Sequence, residues 1–274
     1  MCGRYVSATE PQKLAVQFAA EELRVGDNAP GARKADEAAT GSGANAASGF
    51  GDRSVEPETS TRPARQIQAN YNVAPTNRIF TVSEDAEGVR GIDEMRWGLV
   101  PSWAKDPKIG SRMINARAET VAEKNSYRKP FATRRALVPA DGFYEWRTPK
   151  SGRRKQPFFI HALDGEPLAF AGLWDRWHDR SDENAPPLYT ATIITTAANT
   201  TMRPVHDRMP AILPASAWGA WLDRENHDTA ALQELLVPAA DDLLEMYPVS
   251  TDVGRVSNNG PELLAEIRPD QVIA

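Results

Sequence analysis

The chain has 274 residues, 41% hydrophobic and 25% charged, the balance of an ordinary globular protein. No apolar run reaches the roughly 18 residues of a membrane helix, no apolar signal core opens the chain, and a single cysteine excludes an internal disulfide or a cysteine metal cluster. The net charge of −5 is unevenly spread: Arg96–Ile160 holds 15 Lys or Arg against 5 Asp or Glu, and Ala217–Ala274 holds 3 against 11. Such asymmetry is either a basic face for phosphates or a solvated surface whose charges segregate along the sequence.

The chain opens with MCGRY, its only thiol at position two. A small residue there favours removal of Met1, which would leave Cys2 with a free α-amine beside its thiol. The amine titrates near ~8 and the thiol near ~8.5, so both are partly reactive at neutrality. Such a pair attacks an aldehyde first through nitrogen and then closes a thiazolidine through sulfur. The alternative is a terminal cysteine with no role.

Pro11–Leu23 has apolar residues at helical spacing after a proline and is expected to be a helix. Val25–Gln66 is rich in Ala, Gly, Ser and Pro and is expected to be a disordered insertion at 25–66 in one domain spanning 1–274. Order resumes at YNVAPTNRIFTVSE, and strand-like runs follow at short spacing: EMRWGLVP, RRALVPADGFYEWR, QPFFIHAL, PLAFAGLWDRW, LYTATIITTAA and RMPAILP. A helix breaking near Pro130 is expected in ARAETVAEKNSYRKPFATR, and two short late helices in ASAWGAWLDR and TAALQELLV. The predicted fold is α+β, a single domain on a curved, mainly antiparallel sheet with flanking helices.

The four histidines form no HxH or HxxxH pair, so no metal site and no cofactor are expected. Phosphate-loop, dinucleotide-binding and nucleophile-elbow patterns are absent. Three stretches remain. MINAR sets Asn115 and Arg117 beside apolar residues. ADGFYEWR sets Glu145 in a strand whose alternation puts Phe143, Glu145 and Arg147 on one face. A carboxylate among aromatics is a group that can carry a proton near neutrality. PVHDRMP sets His206 in a polar turn, where an imidazole can transfer protons. Each has a structural alternative: a turn asparagine, a surface ion pair, a hydrogen-bonding histidine.

MCGRY, YNVAPT, RWGLVPSW, INARAET, ADGFYEW, QPFFIHA, TTAAN and VHDRMP occur in this order, followed by VSNNGPELL. The series resembles the SOS-response-associated peptidase (SRAP) family over nearly the whole chain except Val25–Gln66. The resemblance implies recognition of abasic sites in single-stranded DNA, including single-strand/double-strand junctions, and a covalent thiazolidine crosslink through Cys2 that shields the lesion. It implies removal of Met1, autocatalytic or by an aminopeptidase. By the same resemblance Glu145 opens the deoxyribose ring and shuttles protons, His206 orients the sugar and assists protonation, and Asn115 holds the reacting end. Arg4 and Arg117 would grip flanking phosphates, and Pro75 and Trp103 would form an apolar wedge. Ala104 follows Trp103 where some relatives have a second aromatic. Trp97 and Trp146 are expected as core or pocket walls. The expected protein is a monomer in the cytoplasm, associated with the nucleoid when on DNA. Two other readings stay open: a thiol peptidase acting on proteins, and a non-covalent single-stranded DNA-binding module.

Overall fold

A computed structural model describes residues 2–24, 69–149, 154–182 and 184–273. The insertion expected at 25–66 lies outside the described residues. The strands in chain order are β1 (Tyr5–Ser7), β2 (Glu22–Arg24), β3 (Asn70–Val73), β4 (Arg78–Glu84), β5 (Arg90–Trp97), β6 (Asn115–Arg117), β7 (Arg135–Ala140), β8 (Gly142–Arg147), β9 (Gln156–Ala162), β10 (Leu168–Trp177), β11 (Leu188–Ala197), β12 (Arg208–Pro210) and β13 (Leu244–Pro248). The helices are α1 (Pro11–Gln17), α2 (Arg128–Thr133), α3 (Ala215–Leu222) and α4 (Thr229–Glu234). None of the described helices is long and apolar enough to cross a membrane.

The fold is α+β, as the sequence indicates, with its strands in two sheets. One runs β13-β9-β8-β1-β3 and is antiparallel throughout. The other runs β12-β11-β10-β7-β4-β5-β2 with β6 beside β11. Parallel pairing is confined there to β2–β5, β5–β11 and β6–β11. The β5–β11 pair joins the two ends of the path β11-β10-β7-β4-β5, closing these five strands on themselves. Closure supplies the curvature and removes two sheet edges.

Strand alternation sorts the side chains into layers. In β7, Ala136, Val138 and Ala140 enter a core shared by both sheets, with Cys2, Tyr5, Phe143 and Ile160 from the five-stranded one. Leu137 points the other way, into a second core with Phe18 beside α1, Phe131 of α2, Trp221 of α3 and Leu232 of α4. The outer face of the five-stranded sheet is covered by the C-terminal stretch through Val249, Val253 and Leu263.

Two helices differ from expectation. The run Pro11–Leu23 stops after Gln17 because Ala19 takes a left-handed conformation (φ 50°). Ala20 N–H then bonds Ala15 O at 2.8 Å and Ala19 N–H bonds Val16 O at 3.3 Å, a Schellman stop, and the chain leaves as β2. Pro130 does not break a helix; it lies in the first turn of α2, where its missing N–H is not needed.

Pro75 sits in the turn between β3 and β4. Asn77 N–H bonds Ala74 O at 3.1 Å, and Thr76 has φ 72°, the pattern of a type II turn with proline second and a left-handed residue third. A β-branched residue there is strained. The turn is held by Thr76 N–H to Trp97 O (2.9 Å) and by Ala74 N–H to the Asn77 side chain (2.9 Å). Thr76→Gly is therefore expected to stabilise the fold by about 1 kcal/mol, read as a rise of roughly 2–4 °C in thermal midpoint.

Candidate functional site

The N-terminal segment is built into the core. Tyr5 pairs with Val73 on one side and with Phe143 of β8 on the other. Tyr144 N–H bonds Arg4 O at 2.9 Å. This pairing lays the segment ahead of β1 alongside the strand that bears Glu145. Cys2 is completely buried, and its Sγ makes only a long contact, 3.9 Å, to Arg4 O.

Asn115, in β6, reaches across to this segment. Its Nδ2 donates to the backbone carbonyl of Cys2 at 2.7 Å. Its own carbonyl accepts from the Tyr127 hydroxyl at 3.2 Å, while Oδ1 is buried without a hydrogen-bond partner. An unsatisfied buried acceptor of this kind costs about 1–3 kcal/mol. β6 is positioned by its parallel register with β11, Ile193 opposite Asn115 and Thr195 opposite Arg117.

Glu145 lies opposite Phe158 in the β8–β9 pair and is 3% exposed. The alternation read from ADGFYEWR holds: Phe143 enters the core between the sheets, Tyr144 the core on the outer face. Arg147, on the side of Glu145, sets its guanidinium 4.9 Å from the Phe158 ring centroid. Burial pushes the Cys2 thiol far above the ordinary cysteine range, and the nearby Glu145 charge pushes it further in the same direction. The thiol is thus held protonated at neutral pH.

His206 follows a turn in which its N–H bonds Met202 O at 3.0 Å. Its Nδ1 lies 2.9 Å from the Arg208 backbone N–H and 3.0 Å from Asp207 Oδ1. One nitrogen cannot accept from the first and donate to the second at once. The backbone N–H is a fixed donor and the Asp207 side chain is 88% exposed, so Nδ1 is the acceptor in the neutral ring and the proton sits on Nε2.

Glu145 and His206 face one cavity of about 430 Å³, completed by Trp146, Lys155 and Gly254. Cys2, Asn115, Glu145 and His206 thus converge, although they come from the N-terminal segment, β6, β8 and the turn before β12. Arg4 Nη1 donates to Asn72 Oδ1 (2.8 Å) and Val253 O (2.9 Å), and burial lowers its pKa. Arg117 is exposed, and Pro75 is half-buried on its strained turn. Trp103 is 51% exposed, whereas Ala104 after it is buried. Trp97 is buried in the core and donates Nε1–H to Ile114 O at 2.9 Å.

Three features escape sequence reasoning. Lys155 shares the cavity with the Glu145–His206 pair; its place directly before QPFFIHA was the available clue. Arg208 fixes the two halves of the site to each other: its guanidinium pairs with both oxygens of Glu119 (2.5 and 3.1 Å) and donates to Thr195 O (2.6 Å). This pair holds the Glu119 carboxyl below its ordinary range. Asn72 ties β3 to the C-terminal stretch, its Nδ2 near Val253 O, Arg255 O and Asn258 O. Among the described residues, no group of three or more His, Cys, Asp or Glu is arranged to hold a metal ion.

The chain is 46% identical over 204 residues to the abasic site processing protein YoqW of Bacillus subtilis, covering 74% of this chain and 88% of that one. It is 35% identical over 200 residues to the abasic site processing protein YedK of Escherichia coli, covering 72% and 84%. Against the abasic site processing protein HMCES of Gallus gallus it is 39% identical over 210 residues, covering 68% and 61%. A crystal structure of a Bacteroides thetaiotaomicron protein shares the fold, with a TM-score of 0.74 at 22% identity, covering 97% of this chain and all of that one. Residues 1–256 match the family described as SOS response associated peptidase (SRAP), and the chain belongs to that family.

Proposed function

We propose that this protein processes abasic sites in single-stranded DNA by bonding covalently to the ring-opened sugar through Cys2. The observation that carries this reading is the Asn115 Nδ2 bond to the Cys2 carbonyl beside the Glu145–His206 cavity. It fixes the backbone of the reacting residue, not its thiol. That is what chemistry at the α-amine requires, because the amine lies on the same residue's backbone. The names of the relatives support the same substrate class.

The steps follow from the groups present. Hydrolysis of the Met1–Cys2 amide consumes one water and frees the amine. An abasic deoxyribose is mostly a closed hemiacetal, which has no carbonyl. Glu145 accepts the anomeric hydroxyl proton and a proton is returned to the ring oxygen, exposing the aldehyde at C1′. The Cys2 amine adds to that carbon. The carbinolamine then loses water: His206 as the imidazolium, its Nδ1–H facing Asp207 Oδ1, gives its Nε2 proton to the departing hydroxyl and takes back the proton lost from nitrogen, leaving an imine. Finally the thiol adds to the imine carbon: sulfur bonds to carbon, the thiol proton ends on nitrogen, and a thiazolidine closes. The net change from aldehyde and aminothiol is loss of one water. A thiol kept protonated by burial is suited to this order, since nitrogen acts first and sulfur last. Arg4 and Arg117 hold the flanking phosphates, and Pro75 and Trp103 separate the neighbouring bases.

Incubating the protein with single-stranded DNA carrying one abasic site, followed by a denaturing gel, tests this directly. A shifted band is expected that needs both the lesion and Cys2 and is absent with Cys2→Ala. Glu145→Gln is expected to slow its formation by roughly 10²–10⁴-fold, the usual worth of a positioned acid–base group. A Cys2-independent band, or none in protein shown by mass spectrometry to lack Met1, would sink the proposal and bring peptidase assays forward.

The raised thiol pKa gives a second expectation, measured by alkylation with iodoacetamide across pH. Cys2 should react slowly through pH 7–9 and accelerate only above the ordinary thiol range. In Glu145→Gln, which removes one of the two causes, the profile should move toward lower pH. The sign for stability follows. The folded pKa is raised, so the unfolded chain releases this proton first, and stability falls as pH rises above about 8.5.

A further inference from the structure

The motif TTAAN spans Thr195–Asn199 and takes no part in the steps above. Its last residue, Asn199, opens the connection from β11 to β12, the same connection that carries His206. Asn199 is 5% exposed. A side-chain amide offers an acceptor oxygen and two donor hydrogens, and here both ends are engaged. Oδ1 accepts the Met202 N–H at 2.9 Å, as a capping Asn does at the start of a helical turn. Nδ2 lies 3.1 Å from Ala239 O and 3.3 Å from Ala240 O, donating to each. The backbone of Asn199 is held as well: its carbonyl accepts the Arg203 N–H at 3.1 Å, and its N–H meets Met209 Sδ at 3.3 Å.

From Asn199 two hydrogen bonds lead to His206. Met202, fixed through its N–H, gives its carbonyl to the N–H of Val205 (2.9 Å) and of His206 (3.0 Å). The base of the connection is closed by Ala198 N–H on Asp207 O at 3.0 Å. Met202 and Val205 are buried in the core that also holds Cys2 and Phe143, so the turn is packed as well as bonded. On its other side the turn rests on Ala239–Asp241. Asp241 Oδ1 accepts the Thr200 N–H at 2.8 Å, and the Asp241 carbonyl accepts the Thr201 hydroxyl at 2.8 Å. Asp241 is exposed, so its bonds form the outer half of this clasp and those of Asn199 the buried half. Proton transfer needs donor and acceptor within about 2.6–3.2 Å. An imidazole that serves a cavity shared with Glu145 must therefore be held by its backbone, and this clasp holds it.

We propose that Asn199 is a positioning residue for proton transfer at His206, and that Ala239–Asp241 is the anchor against which it works. The role rests on the function proposed above, in which His206 moves protons at the sugar. Asn199 acts on the imidazole through the backbone of the turn, not on the sugar. An amide that served only the fold would alter the reaction equally whether or not His206 was present. One that acts through His206 alters only what His206 does. Substitutions that share a partner in this way are non-additive, whereas independent ones add.

The test is a double-mutant cycle on the rate of crosslinking to single-stranded DNA carrying one abasic site. It compares wild type, Asn199→Ala, His206→Ala and the double variant, each checked for folding by its thermal transition. Asn199→Ala is expected to slow crosslinking by up to about 10²-fold, the cost of a reacting group displaced by roughly 1 Å. His206→Ala is expected to slow it by roughly 10²–10⁴-fold, and adding Asn199→Ala to it is expected to change nothing further. Asp241→Ala, at an exposed position, is expected to give the same pattern with a smaller first step. It carries the cycle, with the same outcomes, if Asn199→Ala does not fold. Equal slowing in both backgrounds overturns the role, because that is what a merely structural part would give. The wild-type rate in Asn199→Ala overturns it too, as does a His206→Ala chain as fast as wild type, which leaves no proton transfer to position. These outcomes leave crosslinking by the wild-type chain standing. Absence of crosslinking by the wild-type chain instead overturns the proposed function, and this role falls with it.

Discussion

The hydrogen bond from Asn115 to the Cys2 carbonyl organises everything else about the site. It spans two parts of the chain that are far apart in sequence and belong to different sheets. On one side, β1 must be zipped between β3 and β8 for Cys2 to arrive at the core. On the other, β6 must run parallel to β11 for Asn115 to face it. Both pairings are strand registers, and a slip of one residue in either would turn the side chain to the opposite face. The placement of Cys2 is thus a consequence of sheet assembly rather than of any local property of the first residues.

The protein accepts several local costs. Asn115 Oδ1 is buried without a partner, Thr76 is left-handed beside Pro75, and the thiol of Cys2 sits where ionisation is strongly disfavoured. Each is opposed by its surroundings: the strained turn by two hydrogen bonds, the buried segment by antiparallel pairing on both edges. The unsatisfied Asn115 Oδ1 beside Cys2 is the pattern of a site kept ready for a ligand, not of a relaxed core. The Arg208–Glu119 pair and the Asn72 ties serve the same end by joining the segments that carry His206, Arg117, Arg4 and Gly254.

Charge is divided between chemistry and grip. The cavity is lined by the buried Glu145 carboxylate, the half-buried His206 imidazole and the exposed Lys155. Within the basic segment Arg96–Ile160, Arg135 is buried, while Arg117 and the cations around Trp103 are exposed. Exposed cations act at longer range and are sensitive to salt, whereas the buried groups act only on what enters the cavity. In the proposed function a strand is drawn in electrostatically before the covalent steps begin.

Much of this molecule is legible in its sequence. The alternation in GFYEWR placed Phe143 and Glu145 on one face, the strand runs anticipated most of the sheet, and the ordered motifs pointed to Cys2, Asn115, Glu145 and His206 as candidates. The physical reason is that strand periodicity and side-chain chemistry are local, and both are written in consecutive residues. Tertiary structure alone decided that β5 pairs with β11, that the short strands β1 and β6 exist, and that Arg208 and Lys155 belong to the site. It also decided that the run after Pro11 stops at Ala19, because the chain there is taken up as β2 against β5. Three-residue strands have no periodicity to read, and their pairing energy comes wholly from partners remote in sequence. Sequence by itself determined which groups were available for the chemistry; only the packed sheets determined that they meet.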